Sequence, residues 1–270
     1  MTAAISTKNN NVRLKAVAIP AEHGGWGFLL EAILLGLLAA PSAAGFALSV
    51  AMLGGFLMRH PFKLMMIDRR RGKRYARTIL AMRFALLYAG IAAVGGLAAT
   101  ALAGTAFLVP LVAAILFAGI QITFDGRSES RHWIPELAGP LALSGGGAGI
   151  LMAGGWPLPP ALAAGTLLAA RSLPAVLYAR ARLRLERGQQ PSLIPSIAAH
   201  ALSVGAAVLL VGVGTAPALS VFAMIILLLR AIYGLSPYRR PAAPKVLGFQ
   251  EIAFGVITVI LIAIGYIHNI

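Results

Sequence analysis

The sequence predicts an all-helical bundle embedded in a membrane, with about nine transmembrane helices. Of its 270 residues, 59% are hydrophobic and 11% are charged, whereas about a quarter of the residues of a soluble domain are charged. Apolar stretches follow one another along the chain, each near the roughly 20 residues that a helix needs to cross a bilayer. They lie at 25–40, 44–61, 78–98, 104–124, 137–153, 158–179, 193–213, 216–233 and 246–267.

The composition excludes several classes of function. Cysteine is absent, so disulfides, thiolate metal sites and cysteine nucleophiles are excluded. The formal charge is +15, but the basic residues alternate with apolar spans and form neither a tail nor a stripe. In a membrane protein, such charge indicates orientation and contact with anionic lipid. We therefore expect membrane lipids, and no nucleic acid, as partners.

The charge is concentrated in alternate connections between the predicted spans. The charged connections are 59–77, 124–133, 178–188 and 233–245, and those without charge lie near 41–43, 99–104, 154–160 and 214–217. The positive-inside rule places the charged connections and the N-terminus in the cytoplasm, and the C-terminus outside. Residues 1–18 lack the apolar core of a signal peptide and are predicted to be a cytoplasmic tail; residues 19–270 are predicted to be a single transmembrane domain.

Six ionisable side chains fall inside predicted spans, where such groups are costly and often functional: Glu31, Arg83, Arg171, His200, Arg230 and Glu251. All lie in the half nearer the charged connections, so together they would line one cavity open to the cytoplasm. The alternative for Arg83, Arg230 and Glu251 is that they reach the lipid headgroups. Arg171 lies about 14 Å from Arg180 along a helix, so we expect an anionic partner for it.

Two basic clusters predict an anion site. In the first, Asp68 is surrounded by Arg59, His60, Lys63, Arg69, Arg70, Lys73 and Arg74. In the second, Arg180, Arg184 and Arg187 share one helix face. Because the guanidinium fork matches phosphate oxygens, two such faces would clamp a phosphate or diphosphate. The alternative is that both clusters are orientation signals that lie on anionic lipid headgroups.

Two further groups of polar residues have open interpretations. Glu22 and His23 precede the first span and form either a general base or metal ligand, or only a polar helix start. Asp125, Glu129 and Glu136 lie among Arg127, Arg131 and His132. These acids either pair with arginines of the neighbouring loops, which we favour, or hold Mg²⁺ through one or two carboxylates. The sequence identifies no cofactor, and the binding of Mg²⁺ is one of the two alternatives for these acids.

The blocks AEHGGWG, RHPFKLMMIDRRRGKRY and RSLPAVLYARARLRLERG resemble the YwiC-like family of bacterial integral membrane proteins, and the likeness runs over most of the chain. The resemblance implies a multi-pass protein of the bacterial cytoplasmic membrane. It implies little about activity, because the family is largely uncharacterised.

The chain also resembles, more loosely, the UbiA-type prenyltransferases. Those enzymes have nine spans and hold Mg²⁺ and a prenyl diphosphate on acidic motifs in the loops after spans two and six, where this chain has its two densest basic clusters. With His60 on the first motif's Asn, Asp68 matches its last Asp, while Pro61 and Leu64 replace the other two. In the second motif, Arg180 and Arg184 stand where that family has aspartates. Arginines would hold the anion without a metal bridge, so the reaction is expected to differ or to be lost.

The predicted function is an inner-membrane protein with a cytoplasm-facing site for a lipid phosphate or prenyl diphosphate, and the favoured hypothesis is an enzyme with a UbiA-like helical bundle that acts on such a substrate. The catalytic candidates are Glu22, His23 and Asp68, and the substrate-binding candidates are Arg59, His60, Lys63, Arg74, Arg171, Tyr178, Arg180 and Arg184. The alternatives are a non-catalytic transporter of an anionic substrate, which would bind at Arg171, and an assembly or accessory protein of a membrane complex. The sequence does not predict an oligomeric state.

Overall fold

The computed structural model describes residues 14–20, 23–72, 75–130 and 132–270, and of His23 only the backbone. Within these residues the chain forms helices and no strand, which confirms the predicted all-helical class. In chain order the helices are α1 (Leu14–Ala18), α2 (His23–Ala39), α3 (Ala43–Arg70), α4 (Ala76–Ala103), α5 (Leu108–Gly126), α6 (Trp133–Ala153), α7 (Leu158–Glu186), α8 (Ile194–Gly212), α9 (Leu219–Leu235) and α10 (Pro244–His268).

Each predicted span coincides with one of the helices α2 to α10, and α3 and α7 extend well beyond their spans into the basic clusters. The segment that the sequence suggested as a charged loop from residue 59 is helical as far as Arg70, and the second basic cluster is helical as far as Glu186. Apolar residues continue at helical spacing among the basic ones, so each helix extends beyond the apolar stretch that defined its span. The basic clusters therefore lie on rigid helix ends.

The apolar surface of the bundle is that of a multi-pass membrane protein. Among the described residues, six helices are long and apolar enough to cross a membrane: α3, α4, α5, α7, α8 and α10. The helices α2 and α9 are apolar but shorter. Large apolar side chains such as Leu97 on α4 and Leu202 on α8 are more than 70% exposed. Such a surface is stable against lipid, because lipid tails do not penalise exposed apolar groups.

Close helix packing depends on small residues. On α3, a Cβ atom at Gly54 would lie 2.7 Å from the backbone nitrogen of Ala92 on α4. On α4, a Cβ atom at Gly95 would lie 2.7 Å from the carbonyl oxygen of Ala47 on α3. The backbones of α3 and α4 can approach this closely only because both glycines lack a side chain.

The connections divide the bundle into two ends. The charged end comprises the connections 71–75, 127–132, 187–193 and 236–243, and the uncharged end comprises 40–42, 104–107, 154–157 and 213–218. Two contacts join the end of α7 to the connection 236–243: Arg182 on α7 donates to the carbonyl oxygen of Arg240, and Arg239 lies 3.9 Å from Glu186. The charged end therefore includes contacts between elements that are distant in the sequence.

Candidate binding cavity

A cavity of about 840 Å³ lies among α2, α3, α5, α6, α7 and α10. Its wall is mainly apolar, with side chains such as Met52, Ile115, Ile122, Leu143 and Val176. Its charged lining residues are Glu31, Arg59, Lys63, Glu136, Arg171, Arg180, Arg182 and Glu251. All of them except Arg182 fall into two groups, one at the charged end of the bundle and one deeper among the helices.

The first group, which we call the rim, consists of Arg59, Lys63, Arg180 and Glu136, with Asp125 beside it. Arg59 Nε lies 2.6 Å from an oxygen of Asp125, whose side chain is 2% exposed. Lys63 Nζ donates to Ser130 Oγ at 2.6 Å and lies 3.8 Å from Asp125. α3 thus brings two cations, one helical turn apart, to the cavity and to the end of α5.

The other side of the rim belongs to α7. Arg180 donates to Glu136 at 2.6 Å, and both side chains stay partly exposed, at 45% and 30%. The predicted pairing of the acids with neighbouring arginines is thereby confirmed for Asp125 and Glu136. Arg182 also lines the cavity, although it does not belong to the predicted Arg180 and Arg184 face; its side chain is buried and paired with Glu186 at 2.5 Å.

The first turn of α2 also borders the cavity, at Gly24, Gly25 and Gly27. Trp26 holds this turn in place: its indole nitrogen donates to the carbonyl oxygen of Pro20 at 3.2 Å, and its ring packs edge-on against Phe56 on α3. The backbone N–H groups of a helix's first turn have no partner within that helix and carry partial positive charge. α2 therefore adds to the positive potential of the cavity.

The second group, which we call the inner network, consists of Glu31, Arg171, Arg230 and Glu251 from α2, α7, α9 and α10. Arg171 is 2% exposed, and its Nε lies 3.0 Å from Glu31. Its Nη2 donates to the carbonyl oxygen of Glu251 at 2.5 Å. The side chain of Glu251 in turn pairs with Arg230. The expectation of an anionic partner for Arg171 is therefore confirmed, and that partner is Glu31.

Aromatic rings surround the inner network. The guanidinium of Arg230 lies 4.0 Å from the ring centre of Tyr178, and that of Arg171 lies 5.4 Å from the ring centre of Phe28. Such cation–π contacts recover part of the solvation that a buried charge loses. Tyr178 lines the cavity, whereas the buried His200 packs behind it with its Nδ1 against the carbonyl oxygen of Ser196.

Part of the chain resembles a known family. Residues 19–151 match a family described as YwiC-like protein. Over this segment, the chain is similar to that family. Two of the three sequence blocks that suggested this family lie inside the match, and the block on α7 lies beyond it. The match contains Arg59, Lys63 and Glu31, whereas Arg171 and Arg180 come from the rest of the chain.

No curated protein and no solved structure matches the chain. The UbiA-like arrangement of helices and the UbiA-like activity therefore stay predictions.

Three predicted site residues lie within the described structure but do not line the cavity. His60 has its Nε2 3.0 Å from the carbonyl oxygen of Ala16 and holds α1 against α3. Asp68 is fully buried, and its oxygens accept from Arg77 at 2.5 Å and from Thr78 at 2.7 Å. These hydrogen bonds join the end of α3 to the start of α4. Arg184 is exposed on α7.

Three predicted residues remain without a structural description. Glu22 and Arg74 lie outside the described residues, as does the side chain of His23. The backbone of His23 begins α2, one residue before Gly24 at the cavity.

The described residues contain no group of three or more His, Asp or Glu side chains that are placed to hold a metal ion. The two rim acids, Asp125 and Glu136, each contact an arginine instead.

The sequence missed Arg182 and the pairing of the inner network. Arg182 lies between Arg180 and Arg184 in the sequence but not on their helix face, so the spacing that singled out those two residues did not indicate it. The inner pairs join helices that are distant in the sequence, such as α2 with α7. A signal was nevertheless present, because Glu31, Arg171, Arg230 and Glu251 are two acids and two bases inside apolar spans.

Proposed function

We propose that the cavity binds an anionic amphiphile, either a lipid phosphate or a prenyl diphosphate. Its head group would lie on Arg59, Lys63 and Arg180, and its apolar chain along the wall formed by α5 and α6. The observation that carries this proposal is that cations of α3 and α7, far apart in the sequence, line the same mainly apolar cavity. A ligand that satisfies both surfaces has to be charged at one end and apolar along the rest.

The charge of the rim supports this proposal. Arg59, Lys63 and Arg180 bring three positive charges from two helices to the rim, where Asp125 and Glu136 are negatively charged. The partly exposed pair of Arg180 and Glu136 is inexpensive to open, because exposed ion pairs contribute about 1 kcal/mol or less. A phosphate offers more acceptor oxygens than the carboxylate it would displace.

The structure favours the rim over Arg171 as the anion site. A transporter that binds its anionic substrate at Arg171 needs the positive charge of that arginine to be available. Arg171 instead pairs with Glu31 and lies among groups that include a second glutamate. An anion placed there would meet two carboxylates in a region of low dielectric constant, where repulsion is strong.

A transferase reaction is the second candidate. α2 begins at His23, and the next two residues line the cavity; Glu22 and His23 are the predicted acid–base pair. In such a reaction the bond between the prenyl carbon and the diphosphate oxygen breaks, and the diphosphate leaves with the electron pair of that bond. An acceptor atom bonds to the prenyl carbon and gives up its proton to the acid–base pair. Replacing His23 by Gln should then abolish turnover and preserve binding of the phosphate.

We further propose that the rim faces the cytoplasm of a bacterium, because the charged end carries the basic residues that the positive-inside rule assigns to that side. The chain has no cysteine, so single cysteines can be labelled without interference. In intact cells, a membrane-impermeant maleimide should label Thr105→Cys, at the uncharged end, and should not label Gln190→Cys, at the charged end. The reverse pattern would place the rim outside.

The binding proposal is tested with a matched series of probes on the purified protein in nanodiscs: farnesyl diphosphate, farnesyl phosphate and the neutral farnesyl methyl ether. We expect binding in the order diphosphate, phosphate, ether. Because hydrogen bonds to charged groups contribute about 1.5–3 kcal/mol, the double variant Lys63→Gln/Arg180→Gln should weaken the binding of both phosphates at least about tenfold.

The control variant is Arg184→Gln, which makes the same change one turn further along α7 at a residue outside the cavity. It should bind all three probes as the wild type does. Equal binding of the phosphates and the ether, or equal losses in the double variant and in Arg184→Gln, would overturn the rim as an anion site.

A further inference from the structure

The inner network is electrically balanced. Its two arginines and two glutamates sum to zero charge. Of these residues, Glu31, Arg171 and Glu251 line the cavity. A cation bound beside them would be repelled by Arg171, and an anion by the two glutamates. The inner end of the cavity is therefore suited to a group without net charge.

This end of the cavity also has unused hydrogen-bonding capacity. Arg171 Nη1 and Glu251 Oε2 are buried atoms that have no hydrogen-bond partner. Buried polar groups in folded proteins are nearly always hydrogen-bonded, so one such atom on each of two cavity residues requires an explanation. The first is a donor and the second an acceptor.

Loose packing around Arg171 and Glu251 does not explain why these two atoms lack hydrogen-bond partners. α10 approaches the network at Gly255, where a Cβ atom would lie 2.6 Å from Arg171 Nη2 and closer still to Glu31. The space around these charges is thus tightly filled on the side of α10, yet Arg171 Nη1 and Glu251 Oε2 remain unsatisfied. Because both atoms are buried, each side chain has to shift to present its atom to a ligand.

We propose that the inner end of the cavity binds a neutral group that both accepts and donates a hydrogen bond, such as a hydroxyl or a primary amide. The group would accept from Arg171 and donate to Glu251. This inference rests on the proposed function because the two subsites share one cavity. A ligand that fills both would carry a phosphate at one end and a hydroxyl or amide at the other.

The separation of the two subsites sets the length of a suitable probe. Arg171 and Arg180 lie on the same helix, about 14 Å apart along its axis. Three phosphates with a saturated ten-carbon chain cover a comparable distance: decyl phosphate, 10-hydroxydecyl phosphate and 10-methoxydecyl phosphate. All three carry the same head group, and only the second offers both a donor and an acceptor at its far end.

The test is the affinity of the full-length protein in nanodiscs for these three probes. We expect 10-hydroxydecyl phosphate to bind at least tenfold more tightly than decyl phosphate, and the methoxy compound to show no such gain. Arg171→Lys keeps a positive charge beside Glu31 but removes the guanidinium group and with it Nη1. It should abolish the preference for the hydroxyl, so that the hydroxy and decyl compounds bind alike.

Arg184→Lys serves as the control and should keep the preference. Equal binding of the hydroxy and decyl compounds by the wild type would overturn the inner subsite and leave the rim intact. If no phosphate binds, the rim is overturned. The inner subsite is then tested with 1-decanol and decyl methyl ether, of which only the alcohol should bind. Equal binding of these two compounds would overturn the inner subsite as well.

Discussion

The rim and the inner network contain the same kinds of residue in different surroundings. At the rim, Arg180 and Glu136 are 45% and 30% exposed, whereas in the inner network Arg171 and Glu31 are almost fully buried. An exposed pair exchanges partners at little cost, while a buried pair that loses one member leaves an uncompensated charge. The rim is therefore suited to exchanging a carboxylate for a phosphate. The inner pairs, by contrast, hold four helices together.

The strongest way to break this comparison is to remove one member of a buried pair. Arg171→Ala leaves Glu31 buried without its partner, so we expect a loss of about 3–5 kcal/mol in the free energy of unfolding. Thermal or denaturant unfolding of the detergent-solubilised protein measures it. Arg184→Ala, on the same helix but exposed, should change stability little. Equal losses in the two variants would show that the inner pair does not stabilise the bundle.

A smaller effect is expected from crowding the inner network without changing its charge. In Gly255→Ala the new methyl group would overlap Glu31 and approach Arg171, so we expect a loss of about 1–3 kcal/mol from overpacking. The control is Gly248→Ala on the same helix, where a Cβ atom has no neighbour within 4 Å. Because alanine favours helix over glycine by about 1 kcal/mol, that variant should be as stable as the wild type or more so.

The smallest effect on stability is expected at the rim. Arg180→Gln opens a pair of partly exposed side chains, and we expect a change of about 1 kcal/mol or less in the free energy of unfolding. A loss as large as that of Arg171→Ala would mean that the rim pair is structural, and the distinction between the two groups would then disappear.

Much of the fold was predictable from the sequence, because the length and the composition of apolar stretches decide which segments are helical in a membrane protein. Each predicted span coincides with a helix. The ends of α3 and α7 were not predicted, since a charged residue such as Arg59 or Arg180 ends an apolar stretch without ending a helix. Helix propensity and membrane burial are separate properties, and the hydropathy pattern reports only the second.

The candidate site was predictable in part. Arg59, Lys63, Tyr178 and Arg180 line the cavity, as their cluster positions suggested. Asp68 does not, because it pairs with Arg77 at the start of α4, and a count of nearby charges does not show which of them it contacts.

The partners within the inner network were also beyond the sequence. Which acid meets which arginine depends on how α2, α7, α9 and α10 pack, and this long-range information is absent from the spacing along a single helix.

The most direct test of the central claim is native mass spectrometry of the gently solubilised protein, with attention to co-purified lipid. The account predicts a lipid phosphate or diphosphate bound to the wild type and to Arg184→Gln, and its loss from Lys63→Gln/Arg180→Gln. Bulk phospholipid bound equally to all three proteins would contradict the rim as a head-group site. The basic helix ends would then be signals of orientation alone.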